Sequence, residues 1–166
     1  MIALPEPVTQ VDTPIRLEYR YTPGASPSRF LRGTQERKLL GRRCSNCGKV
    51  YAPPRGACSM CGAAFTDEDV EVADVGTIAT FCVVNVNFAS RAVALPYACV
   101  EVLFDGADIT SQFLLQGVDP YEARMGMRVR AVWREGDDLP PTLGNIEFVE
   151  PTGEPDAPFE SYASAV

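Results

Sequence analysis

The chain has no histidine. That removes the commonest general base and every nucleophile that depends on a Ser-His or Cys-His pair. Long apolar runs are also missing. No stretch approaches the roughly 20 residues needed to cross a bilayer, and Met1 to Pro14 holds no apolar segment of the signal-peptide kind. The expected compartment is therefore the reducing cytoplasm. Carboxylates are plentiful, 22 Asp and Glu in 166 residues, but no pair of them sits in a recognisable catalytic motif. No catalytic residue is expected on this chain.

Six cysteines are present, and four of them are patterned. Cys44 and Cys47, then Cys58 and Cys61, form two Cys-x-x-Cys knuckles, followed directly by Gly48 and Gly62. Four thiolates around one tetrahedral ion select zinc or iron. Structural zinc is the expected ion. Iron in a rubredoxin-type shell and a pair of disulfides are the alternatives. A shell closed by four protein sulfurs leaves no position for substrate or water, so the site reads as a staple. Cys82 and Cys99 lie in apolar runs and are expected to be small buried hydrophobes.

Charge is unevenly placed. Residues 14–61 carry ten of the fifteen basic residues and only two acids, a net of +8 against −15 for the remainder. Four thiolates on zinc are a net −2 unit, which lowers the loaded segment to about +6. A basic face of this kind is either solvated or meets phosphate or an acidic partner.

The periodicity divides the chain into five parts and an acidic connector. Residues 1–13 read as a flexible arm. Residues 14–37 hold an alternating strand, Ile15 to Tyr21, and a short helix with Ser26 as N-cap and Pro27 at its first position, ended by Gly33. Residues 38–66 form the ribbon. An acidic connector from Asp67 to Asp74 follows. Residues 73–150 supply five strands: Thr77–Phe88, Tyr97–Phe104, Ile109–Gln116, Met127–Arg134 and Asn145–Val149. Their alternation turns Ile78, Cys82, Val84, Val86 and Phe88 one way, and likewise Ile146 and Phe148. Trp133 is expected in the core. Five short strands with turn signals such as Asp105-Gly106 fit a small barrel, an OB-fold or an SH3-like one. Residues 151–166 read as an extended or disordered tail. The fold class is mainly β.

Particular residues carry a resemblance. Phe30-Leu31-Arg32-Gly33, Lys38 through Cys44, Cys47-Gly48, Pro53-Pro54-Arg55, Cys58 and Cys61-Gly62 resemble domain-of-unknown-function family 35. Gly76-Thr77, Pro96-Tyr97, Asp105-Gly106 and Met125 to Val129 match it too, so the likeness covers roughly residues 15–150. It implies a rubredoxin-like zinc ribbon followed by an OB-fold. It also implies assembly with a thiolase-like or lipid-transfer-protein-like enzyme subunit that carries the catalytic residues. Tyr19 to Gly24 is similar to an actinobacterial branch, the small subunit of a retro-aldolase acting on a β-hydroxyacyl-CoA in steroid side-chain breakdown. A two-plus-two heterotetramer is the assembly this implies, with acyl-CoA as a further contact.

Two other functions compete with the accessory subunit. One is a free-standing acyl-CoA-binding protein, with Arg42, Arg43 and Arg55 as ligands of the CoA phosphates; arginine suits phosphate through its paired donors. The other is a single-stranded nucleic-acid module. Such modules need a basic groove with exposed aromatics, whereas residues 73–150 are acidic and their aromatics fall on apolar faces.

Overall fold

The computed structural model describes residues 6–14, 16–86 and 93–166. One helix, α1 (Ala25–Gln35), precedes a three-stranded sheet of β1 (Leu39–Cys44), β2 (Val50–Tyr51) and β3 (Phe65–Val72), in the order β2-β1-β3. A closed barrel follows, built from β4 (Val75–Val84), β5 (Tyr97–Phe104), β6 (Ser111–Leu115), β7 (Arg128–Trp133) and β8 (Ile146–Pro151). Its order is β4-β5-β6-β8-β7, antiparallel except where β6 meets β8 through Leu115 and Val149. This is the five-stranded OB-type closure expected from the sequence. No helix among the described residues is long and apolar enough to cross a membrane.

The barrel is filled by alternating residues. Ala98, Val100, Val102 and Phe104 of β5 all point inward and are buried, as their period of two requires. Met127, Val129 and Ala131 do the same beside β7. Phe104 and Phe113 meet edge to face at 5.6 Å, a favoured aromatic geometry. Sheet and barrel are not separate globules: Phe30, Leu39, Val50, Ala52 and Val72 belong to the same apolar cluster as the barrel interior.

Several expectations are corrected. Residues 16–21 of the alternating segment before α1 are not strand; among the described residues none pairs with them, and Leu17, Tyr19 and Tyr21 are 79%, 75% and 70% exposed. Gly24, at φ 81°, is the N-cap rather than Ser26, and the helix runs through Gly33 to Gln35. Gly33 is where α1 lies against β1, since a Cβ there would stand 2.8 Å from the Leu40 side chain. The acidic connector is largely strand β3, whose charges sit on an exposed edge while Val72 turns inward. The sheet that carries the ribbon runs on through β3 to Val72.

In β4, a bulge between Ile78 and Thr80 reverses the phase. Ile78 and Ala79 are buried, but Cys82 is exposed, Val84 is only half-buried, and Val86 lies beyond the strand and is exposed. Phe88 falls outside the described residues. A second irregularity, between Val132 and Trp133, shifts β8, so Val149 fills the core and Phe148 is half-buried. Trp133 packs against the core but is half-buried, and its indole N–H donates to Asp74 at 3.3 Å. The final segment, expected to be extended or disordered, is an irregular stretch ending in short turns and is tied to the barrel. Ala157 N donates to the Gly126 carbonyl, Arg124 pairs with Asp156 at 2.6 Å, and Tyr162 is 5% exposed. An aromatic able to bury its ring supplies what a small-residue tail otherwise lacks.

Candidate metal centre

The two knuckles are built alike. The Cys44 amide donates to the Lys49 carbonyl, and the Gly48 amide returns to the Cys44 carbonyl. The Cys58 amide donates to the Ala63 carbonyl, and the Gly62 amide returns to the Cys58 carbonyl. Each loop closes through a glycine with positive φ, 74° at Gly48 and 72° at Gly62. A side chain is strained there, which explains why glycine follows each pair.

This repeated turn points four sulfurs at one spot. All four ligand atoms lie within 4.8 Å of one another. The Cys44 and Cys61 sulfurs stand 3.5 Å apart, and those of Cys47 and Cys58 3.6 Å. A tetrahedral ion with Zn–S bonds of about 2.3 Å needs sulfur pairs roughly 3.7 Å apart, so the shell fits such an ion. Disulfides need sulfurs about 2.05 Å apart, and all four cysteines are free.

The electrostatics ask for a cation. The Cys47 and Asn46 amides lower the Cys44 thiol. The Tyr51 hydroxyl is the main cause holding Cys58 down to about 6. The Lys49 amide draws Cys47 down, but burial and the three other sulfurs outweigh it and push Cys47 up to about 11. Four sulfurs this close cannot all ionise on their own. A divalent ion at their centre removes the conflict.

Tyr51 was not singled out in the sequence. Its ring is buried and meets Phe65 edge to face at 5.1 Å. Its hydroxyl lies 3.4 Å from the Cys58 sulfur and 2.9 Å from Ser59 Oγ. The only clue was its position on the short strand between the knuckles.

The three arginines have different surroundings. Arg42 is buried beneath β3, where it donates to the Thr66 and Asp67 carbonyls at 3.0 and 3.2 Å and pairs with Asp69 at 3.4 Å. Arg43 is exposed and donates to the Gly48 carbonyl at 2.9 Å. Arg55 is exposed, lies over the Tyr51 ring at 5.9 Å, and lines a shallow cleft of about 290 Å³ with Lys49. A partner of the ribbon that the sequence reading left unassigned is Asp108, on the β5–β6 connection, which bonds the backbone of Val50.

A four-cysteine ribbon packed on a closed OB barrel defines the class: a rubredoxin-like zinc-ribbon and OB-fold protein. Residues 32–66 match the family model "ChsH2, rubredoxin-like zinc ribbon domain", and residues 69–134 match "ChsH2, C-terminal OB-fold domain". A DUF35 domain-containing scaffold protein of Methanocaldococcus jannaschii is 35% identical over 111 residues, covering 64% of this chain and 77% of the relative. A second, from Methanothermobacter thermautotrophicus, is 31% identical over 109 residues, covering 63% and 80%. The chain belongs to the DUF35 family. Among solved structures, the fold matches a chain of the Ltp2-ChsH2(DUF35) aldolase, with TM-score 0.57, 24% identity, and 80% and 98% of the two chains covered. It also matches a Sulfolobus solfataricus DUF35 protein of unknown function, with TM-score 0.56, 17% identity, and 77% and 86% covered.

Proposed function

We propose that this chain is a non-catalytic scaffold subunit of an acyl-CoA enzyme, with a thiolase-like or lipid-transfer-protein-like subunit as its partner. The observation that carries the reading is the closed shell. Cys44, Cys47, Cys58 and Cys61 fill a tetrahedral ion's coordination sphere, so the metal holds the ribbon and takes no substrate. The lack of histidine agrees with it, and so do the relatives described as scaffold proteins. The fold shared with a component of an aldolase complex favours a partner that performs carbon–carbon cleavage. On this reading the reaction is retro-aldol cleavage of a β-hydroxyacyl-CoA in steroid side-chain degradation, in a two-plus-two assembly.

Arg43 and Arg55 are the arginines we assign to CoA phosphates, because both are exposed. Arg42 already spends its donors on β3. Co-expression with such a partner, followed by size-exclusion chromatography and an aldolase assay, tests the proposal. The expected result is a stable hetero-oligomer whose activity falls when this chain is withheld. A partner that is soluble and fully active alone would defeat it. The free-standing CoA-binding reading requires micromolar CoA binding by this chain in isolation, which calorimetry measures directly.

A further inference from the structure

Cys82 and Cys99 were expected in the core, but the structure puts them on the outside of the barrel, facing each other. They are direct register partners on antiparallel β4 and β5. Ala98 and Val100, which flank Cys99, point inward, so Cys99 and its register partner Cys82 project from the outer face. Cys82 is exposed and Cys99 half-exposed, and both are free thiols. Directly opposed antiparallel residues have Cα atoms about 4.5–5.5 Å apart, inside the roughly 4.4–6.8 Å that a disulfide spans. Neither sulfur belongs to the metal shell.

We propose that Cys82 and Cys99 are a reversible dithiol–disulfide site, oxidised by exchange with a low-molecular-weight disulfide such as oxidised glutathione. The steps balance as follows. The Cys82 thiolate, the more exposed sulfur, attacks the small disulfide and releases one small thiolate, leaving a mixed disulfide on Cys82. Cys99 loses its proton and attacks the Cys82 sulfur, which expels the second small thiol. Two protein thiols are oxidised, and one small disulfide is reduced to two thiols. Burial first, and then the neighbouring Cys82, push the Cys99 thiol up. That suits Cys99 to the resolving step, where its partner is already held next to it.

The bond would clamp the part of β4 that is held least. Among the described residues, the β4–β7 ladder runs through Val75, Gly76 and Thr77, and beyond the bulge the ladder of β4 is with β5. A cross-link at Cys82 ties down this half-strand, where Phe81 is 41% exposed.

The experiment uses the full-length, zinc-loaded protein titrated with oxidised glutathione, with non-reducing peptide mapping by mass spectrometry. The expected product links the Cys82 and Cys99 peptides, keeps its zinc, melts higher than the reduced form, and reverts with dithiothreitol. Cys99→Ser should instead accumulate a stable glutathione adduct on Cys82, and Cys82→Ser should show no melting shift. Glutathione adducts on the wild type without the linkage, or a linkage of either cysteine to the ribbon, would overturn the proposal.

Discussion

Asp108 grips Val50 by both of its backbone groups. The Val50 amide donates to the Asp108 carboxylate at 2.7 Å, and the Asp108 amide donates to the Val50 carbonyl at 2.8 Å. Val50 opens the short strand between the knuckles, and Asp108 belongs to the barrel's β5–β6 connection, so this pair fastens the metal lobe to the barrel. Asp108→Ala leaves the buried Val50 amide without its acceptor, a loss of about 1–3 kcal/mol. Urea denaturation should show that loss. Asp108→Asn keeps an acceptor oxygen and should lose less.

Removing a ligand should have the largest effect. Cys44→Ser or Cys58→Ser breaks the four-sulfur shell, and in so small a lobe metal binding supplies much of the folding energy. Elemental analysis should find less than one ion per chain. Val50 and Ala52 share the barrel's apolar cluster, so barrel stability should fall in the same variants, as followed by Trp133 fluorescence.

Tyr51→Phe keeps the ring packing and removes only the hydroxyl near Cys58. Partners of metal ligands are typically worth roughly 10–100-fold in affinity. A loss near the lower end is expected in competition with a chromogenic chelator. The pH dependence has a definite sign. Ligand thiols must be ionised to bind, so acid releases the ion. Cys58 is held down to about 6, chiefly by Tyr51, and stays ionised to lower pH than an ordinary thiol. Without the hydroxyl the midpoint of metal release should move to higher pH.

Arg42→Ala should destabilise by about 1–3 kcal/mol, the scale on which hydrogen-bonding groups left unpaired act. It strips donors from the Thr66 and Asp67 carbonyls and a partner from Asp69. Arg43→Ala, on the exposed face of the same strand, should change stability by less than about 0.5 kcal/mol. Chemical denaturation of the two single variants makes the comparison.

Gly76→Ala should be among the most damaging single-carbon changes. A Cβ at Gly76 would meet the Leu103 carbonyl oxygen at 2.5 Å and the Phe104 Cα at 2.8 Å. These are backbone atoms that cannot swing aside, and β4 is held there from both sides by β5 and β7. Overpacking typically costs about 1–3 kcal/mol, and the upper end is expected in thermal melts.

The four ligands, the five barrel strands and the inward faces of β5 and β7 were legible because each depends on local spacing. What escaped was set by distant neighbours. The Asp67–Asp74 stretch reads as a connector because its charges hide a strand edge, and only β1 makes it β3. Ile15 to Tyr21 has perfect alternation, but among the described residues it has no sheet to join. The bulge after Ile78 reverses a phase that the sequence counts straight through, which is why Cys82 was misplaced. Tyr162 stays ordered because Gly126 lets the backbone at Ala157 pass at 2.9 Å from where a Cβ would sit, a fact held in two segments far apart in sequence.

The repeated knuckles leave the ion with unequal sides. Cys44 and Cys58 are buried and Cys47 and Cys61 are exposed, so one flank of the ion is dry and the other wet. A bound ion would be reached by a chelator or competing ion through the Cys47 and Cys61 sulfurs first, and would leave by the same door. Its exchange would thereby be one-sided, opening at the two solvent-facing thiolates before the two buried ones.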